Sequence, residues 1–112
     1  MIDSSLCTIS NGNNNIINIT DYGFIGNGTD CSLNNSNNSV ILGGNLNNIN
    51  DSNRSFIGCG GQNTLSLSNH AFLGCGSNNT IEKSSNHSSI IGGDKNNIDT
   101  SEPVSYTHLR AH

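Results

Sequence analysis

A sixteen-residue unit recurs six times along this chain, and a fixed period of that size leaves little room for any globular core. Aligned on its first apolar anchor, the unit reads apolar-x-x-Gly-x-x-Asn-x-apolar-x-x-Ser, with first anchors at Ile9, Ile25, Ile41, Ile57, Leu73 and Ile90. The steps between them are 16, 16, 16, 16 and 17 residues. Gly12, Gly28, Gly44, Gly60, Gly76 and Gly93 keep one offset, and second anchors at Ile17, Leu33, Ile49, Leu65, Ile81 and Ile98 keep another. Such a period is the signature of a solenoid, in which one unit is one coil that buries its apolar side chains only by stacking on its neighbours.

The second anchor falls eight residues after the first, so each unit divides into two halves and predicts two short strands joined by two turns. Side chains two apart on a strand share a face. Ser39 before Ile41, Asn47 before Ile49, Ser55 before Ile57 and Asn63 before Leu65 therefore point inward with the anchors. The expected interior is narrow, with twelve aliphatic positions flanked by Ser and Asn ladders: Ile9, Ile17, Ile25, Leu33, Ile41, Ile49, Ile57, Leu65, Leu73, Ile81, Ile90 and Ile98. Glycine serves the first turn, as in Gly43-Gly44 and Gly60-Gly61, and Asn, Asp and Ser serve the second, as in Asn50-Asp51-Ser52-Asn53. The extra residue of the seventeen-residue step falls around Ser84-Ser85-Asn86-His87, within the second turn. No helical periodicity is present. The fold expected is all-β, a parallel β-solenoid or β-roll of about six coils with two short strands per coil.

The array occupies residues 7–102, after a lead-in of residues 1–6. Residues 103–112 break the repeat, and Val104 to His112 resemble a translated sequencing adapter, so this tail is read as non-native. The natural sequence is then expected to stop near Glu102, within an array that continues.

One column points to partners. The residue immediately before the first anchor should face outward, yet it is Phe24, Val40, Phe56 and Phe72 in four successive coils. The matching column on the second strand is Ser32, Asn48, Thr64 and Thr80. One outer face is thus apolar along the solenoid axis and the other polar. A contiguous exposed apolar stripe marks an interaction surface, here a lateral interface between chains.

Composition narrows the rest. Hydrophobic residues make up 31% and charged residues 11% of the chain, with a net charge of −4, so there is no basic footprint for nucleic acid. No apolar run is long enough to insert in a bilayer. Cys7, Cys31, Cys59 and Cys75 do not fall into a zinc spacing. Cys59 and Cys75 share a column in adjacent coils, near the upper separation for a disulfide. Free, partly buried thiols are the expectation, with a bridge as the alternative. His70 and His87 share a column with Arg54 and read as exposed turn residues, not metal ligands. Gly92-Gly93-Asp94 is an incomplete calcium-repeat opening. No Ser, His and acid constellation suggests catalysis, so neither an enzyme nor a cofactor is expected.

Ser39-Val40-Ile41-Leu42-Gly43-Gly44, Ser55-Phe56-Ile57-Gly58-Cys59-Gly60 and Ala71-Phe72-Leu73-Gly74-Cys75-Gly76 resemble the Ser-x-Ala-Ile-Gly-type head repeats of YadA-like trimeric autotransporter adhesins. They are also similar to Asn- and Gly-rich arrays of phage and giant-virus fibre proteins. The resemblance implies a left-handed β-roll, a homotrimer, and a structural or adhesive module at a cell surface or virion exterior. It further implies attachment to a host or cell-surface ligand, protein or glycan. Two other readings are an ice-binding β-solenoid and the non-catalytic part of a polysaccharide-binding tailspike.

Overall fold

In the computed structural model, which describes residues 4–83 and 85–99, the chain winds as a parallel β-solenoid of about six coils. Each coil contributes one strand to each of two sheets. The first sheet holds β1 (Thr8–Asn13), β3 (Phe24–Thr29), β5 (Val40–Asn45), β7 (Phe56–Ile57), β9 (Phe72–Leu73) and β11 (Ser89–Ile90). The second holds β2 (Ile16–Asn18), β4 (Ser32–Asn34), β6 (Asn48–Asn50), β8 (Thr64–Ser66), β10 (Thr80–Glu82) and β12 (Asn97–Asp99). No helix occurs among the described residues.

The pairing is in register coil on coil. Ile25 lies beside Ile41 and Ile41 beside Ile57 in the first sheet. Leu33 lies beside Ile49 and Ile49 beside Leu65 in the second. Eleven of the twelve aliphatic anchors are buried, and Ile9, on the first strand described, is partly buried against the core. An axial stack of identical anchors follows directly from the repeat, because parallel in-register strands place every sixteenth side chain over its copy.

The Ser and Asn columns have a second role, which explains why they recur. In the Asn column, Asn63 Nδ2 donates to Cys59 O at 3.1 Å and Gly76 O at 3.0 Å, and its Oδ1 accepts from Asn79 N at 3.1 Å. Asn47 makes the equivalent set with Gly43, Gly60 and Asn63. In a Ser column, Ser36 Oγ donates to Asn34 O at 2.8 Å and accepts from Ser52 N at 3.0 Å. Ser52 repeats this with Asn50 and Ser68. A third column, Asp21, Asn37, Asn53, Asn69 and Asn86, accepts the backbone N–H of the coil above through side-chain oxygens. At each corner the backbone leaves the sheet ladder, and these side chains supply acceptors for its N–H groups, which in the Asn63 and Ser52 columns would otherwise be buried unpaired. The Asn and Ser content is thereby tied to the coil geometry.

The two expected turns are in fact built from three left-handed corners per coil. Positive φ recurs in the columns of Asn14, Asp30, Leu46, Gln62, Asn78 and Lys95, then Ile19, Asn35, Asp51, Leu67 and Lys83, then Leu6, Tyr22, Asn38, Arg54, His70 and His87. Strand residues donate to the following coil, as Phe56 N does to Ala71 O at 3.1 Å, whereas corner residues donate to the preceding one, as Gln62 N does to Asn45 O at 2.9 Å. Flipping a single peptide between two rising donors demands the left-handed conformation, and Asn adopts it most readily. Leu46, Leu67 and the β-branched Ile19 occupy it at a cost, held there by the ladders on either side.

The register steps from 16 to 17 between Lys83 and Ser85: Thr64 pairs with Thr80, whereas Ser85 N donates to Ser68 Oγ across 17 positions. The extra residue therefore sits between two strands and leaves both sheets aligned. Ser4 and Ser5, within the expected lead-in, already join the ladders through Thr20 N to Ser4 Oγ and Ser5 N to Asp21 Oδ1. The adapter-like tail lies outside the described residues.

Candidate interaction surface

The outer surface of the first sheet carries two parallel columns. One is Phe24, Val40, Phe56, Phe72 and Ser89, and the other, two residues on, is Gly26, Leu42, Gly58, Gly74 and Ile91. Phe24, Val40 and Phe56 are half-buried and Phe72 is 38% exposed. The Phe56 and Phe72 rings stack with centroids 5.1 Å apart and an angle of 2° between planes.

The two columns are complementary. Where the first holds Phe, the second holds Gly, and where the first holds Val40 or Ser89, the second holds Leu42 or Ile91. Each ring leans along its strand over that glycine: a Cβ at Gly26, Gly58 or Gly74 would lie 3.2, 3.4 or 3.3 Å from the ring of Phe24, Phe56 or Phe72. The same Cβ at Gly58 would run into Gly74 O, so the position stays glycine for the closeness of the next coil as well.

Leu42 and Ile91 are 50% and 47% exposed and stand as ridges three coils apart. Between them the Gly58 and Gly74 coils form the floor of an open apolar groove of about 520 Å³, walled by Phe56 and Phe72 on one side and by Cys59 and Cys75 on the other. The four residues singled out in the sequence thus form one wall of a surface whose relief comes from Leu42, Ile91 and the glycines. That relief was legible as Phe-x-Gly alternating with Val-x-Leu and Ser-x-Ile, a pattern across two columns that a single-column reading passes over.

Cys59 and Cys75 correct an expectation. They are bridged, with Cα atoms 4.8 Å apart, and both residues are exposed. Neighbouring strands in register set that spacing, which falls within the range a disulfide spans. Cys7 and Cys31 are free, the first partly buried and the second buried.

The second sheet presents a different chemistry. Ser32 Oγ donates to Asn48 Oδ1 at 2.8 Å, and Asn18, Asn34 and Asn50 form a head-to-tail amide ladder with Nδ2 to Oδ1 distances of 3.2 and 3.1 Å. A shallow polar groove of about 300 Å³ runs over these residues. Thr64 and Thr80 pair in register and continue the same column, which then passes to Asn97. At a corner, His70 and His87 are exposed and stacked with centroids 4.8 Å apart, and Arg54 Nη1 approaches His70 Nε2 at 3.4 Å. Among the described residues no group of three or more His, Cys, Asp or Glu side chains is placed to hold a metal ion. No described helix is long and apolar enough to cross a membrane.

These surfaces belong to a β-solenoid repeat protein. Compared with known proteins, the chain matches no family model and no curated sequence.

Proposed function

We propose that this chain is a non-enzymatic structural module of a surface attachment assembly, such as an adhesin head or a viral fibre. It associates laterally with copies of itself through the Phe24, Val40, Phe56 and Phe72 face. The amide and hydroxyl ladders of the second sheet remain available to a cell-surface ligand, protein or glycan. The observation that supports this reading is the sidedness of the coil: one sheet face is an open apolar relief and the other a polar ladder. An apolar patch of this extent on a thin repeat is a contact surface awaiting cover. Copies of a repeat also match each other's rung spacing without adjustment, which favours self-association over an unrelated partner.

The three-chain assembly implied by the adhesin resemblance is one way to cover the face, and a two-chain pair is another. Multi-angle light scattering on the intact chain is expected to give a mass of two or more chains at micromolar concentration. A single-chain mass there overturns lateral association.

A further inference from the structure

The chain holds two Asn-Gly pairs, Asn11-Gly12 in β1 and Asn27-Gly28 in β3, and the strand register sets one pair directly beside the other. Glycine after asparagine leaves the backbone nitrogen unshielded by a side chain. The two pairs hold that nitrogen in different surroundings. We infer that Asn11 is a site of spontaneous covalent modification, where the side-chain amide is lost through a cyclic imide formed with Gly12, while the coil protects Asn27 from the same reaction. No partner chain takes part, so the modification is independent of the association proposed above.

The decisive contact is the bond that Gly12 N donates to Asn11 Oδ1 at 2.8 Å. Oδ1 is bonded to Cγ, so this contact holds the Gly12 nitrogen beside the carbon it attacks. Groups already held together react without the entropy cost of approach. Asn11 and Gly12 are both exposed, and among the described residues β1 is the end strand of its sheet, paired with β3 alone. Gly28 is placed differently. It is buried, and its backbone lies in register between Gly12 of β1 and Gly44 of β5. Cys31 packs against it closely enough that a Cβ at Gly28 would lie 2.7 Å from the sulfur. Folding the Asn27 side chain back onto that nitrogen requires a strand paired on both sides to open first.

The chemistry needs only water. Gly12 N gives its proton to solvent and forms a bond to Asn11 Cγ. The Cγ–Nδ2 bond breaks, and Nδ2 takes a proton from solvent and leaves as ammonia. The imide ring then runs through Gly12 N and Asn11 C, Cα, Cβ and Cγ. Water opens it with no change of oxidation state. Addition at Cγ gives aspartate, and addition at the Asn11 backbone carbonyl gives isoaspartate, with the chain rerouted through Cβ and Cγ.

Either product places a carboxylate on the end strand. Isoaspartate also inserts a further backbone atom before Gly12, which moves Gly12 and Asn13 out of register with Gly28 and Thr29. The Asn11 carbonyl, which accepts from Asn15 Nδ2 at 3.2 Å, leaves the backbone. Asn15 keeps its bonds to Gly28 O and Cys31 N, so the disturbance stops at the first coil.

The test incubates the intact chain at mildly alkaline pH and follows both positions by peptide mapping with mass spectrometry. Amide-to-acid conversion is expected at Asn11, with aspartate and isoaspartate forms separated by chromatography. Asn27 should convert at least about 10-fold more slowly, because ring closure there waits on local opening of the sheet. The same chain in urea calibrates the comparison: without the fold the two rates should become alike, and Asn11 should react at least as fast in the folded chain as in urea. Asn11→Gln, whose longer side chain closes a larger ring slowly, should abolish the signal at position 11 and leave the circular dichroism unchanged. Equal rates at Asn11 and Asn27 in the folded chain, or slowing of Asn11 by folding to the same degree as Asn27, would overturn the inference.

Discussion

At the scale of single residues, the Asn column shows how a polar side chain becomes structural. Asn63 is fully buried and satisfies two carbonyl oxygens and one N–H from three different residues. Asn63→Leu keeps the volume and removes the partner of Cys59 O and of Asn79 N, while Gly76 O keeps the bond from Gly61 N. The expected cost is at least about 2 kcal/mol, since each buried unsatisfied group costs about 1–3 kcal/mol, measured by urea denaturation. Cys31 occupies this same column in the second coil, and its thiol sits 3.6 Å from Thr29 O and 3.7 Å from Gly44 O. It has no oxygen to offer Asn47 N. Gly28, three residues earlier, is also the member of its glycine column without positive φ. Cys31→Asn restores the missing ladder step, and glycine at position 28 can adopt its neighbours' conformation without steric cost. The midpoint of unfolding should rise, with a gain of about 1 kcal/mol, the usual net worth of a hydrogen bond.

At the scale of strands and corners, the disulfide ties the coil of β7 to the coil of β9 just beyond both strands. Its sequence separation of 16 closes a short loop, for which loop-closure entropy gives about 3 kcal/mol. Replacing both Cys59 and Cys75 by Ala should lower stability by up to that amount, read as a shift in denaturation midpoint under non-reducing conditions. On the second sheet, Lys83 and Asp99 bridge the coils of β10 and β12 at 3.1 Å. The hydrogen bond and charge of Asp99 raise the Lys83 pKa above 10.5. A raised lysine pKa means that the contribution is fully present below the unfolded value and is lost as pH rises through the folded one. The pair is therefore insensitive to pH near neutrality, and the lysine's contribution is lost in strong alkali. Asp99→Asn should return the Lys83 titration toward 10.5, followed by NMR at the lysine side chain.

These elements differ in how far the chain spells them out. The strands were legible because Ile41, Ile57 and their companions are apolar at fixed offsets, and burial acts on that property alone. The corners were not, because Leu46, Leu67 and Tyr22 hold left-handed conformations that nothing in a Leu or a Tyr announces. There the direction of a hydrogen bond to the preceding coil overrides local preference. The Phe stripe was legible as a column, whereas its relief needed the second column that pairs Phe56 with Gly58 and Val40 with Leu42. The Cys59 and Cys75 bridge lay at a distance judged marginal until the in-register pairing placed the two Cα atoms at 4.8 Å.

At the scale of the whole molecule, the ladders between coils join a coil only to its immediate neighbour, through partners 13 to 18 positions apart. Stability is then a sum of coil and nearest-neighbour terms, and no single coil is a keystone. Deleting residues 33–48 joins Ser32 to Ile49, which already lies in register with Leu33. Every column is preserved, so the shortened chain should still unfold cooperatively. It should show lower stability and a denaturant m-value reduced by about a sixth, in proportion to the surface lost. Deleting only residues 33–40 joins Ser32 to Ile41 and sends first-sheet anchors into second-sheet positions. The corners and their side-chain acceptors then fall in the wrong columns all the way down the stack. That chain should lose its β signal in far-ultraviolet circular dichroism. A chain with a conventional core would resist neither deletion, so cooperative unfolding after the first and collapse after the second would identify the sixteen-residue coil as the unit that folds.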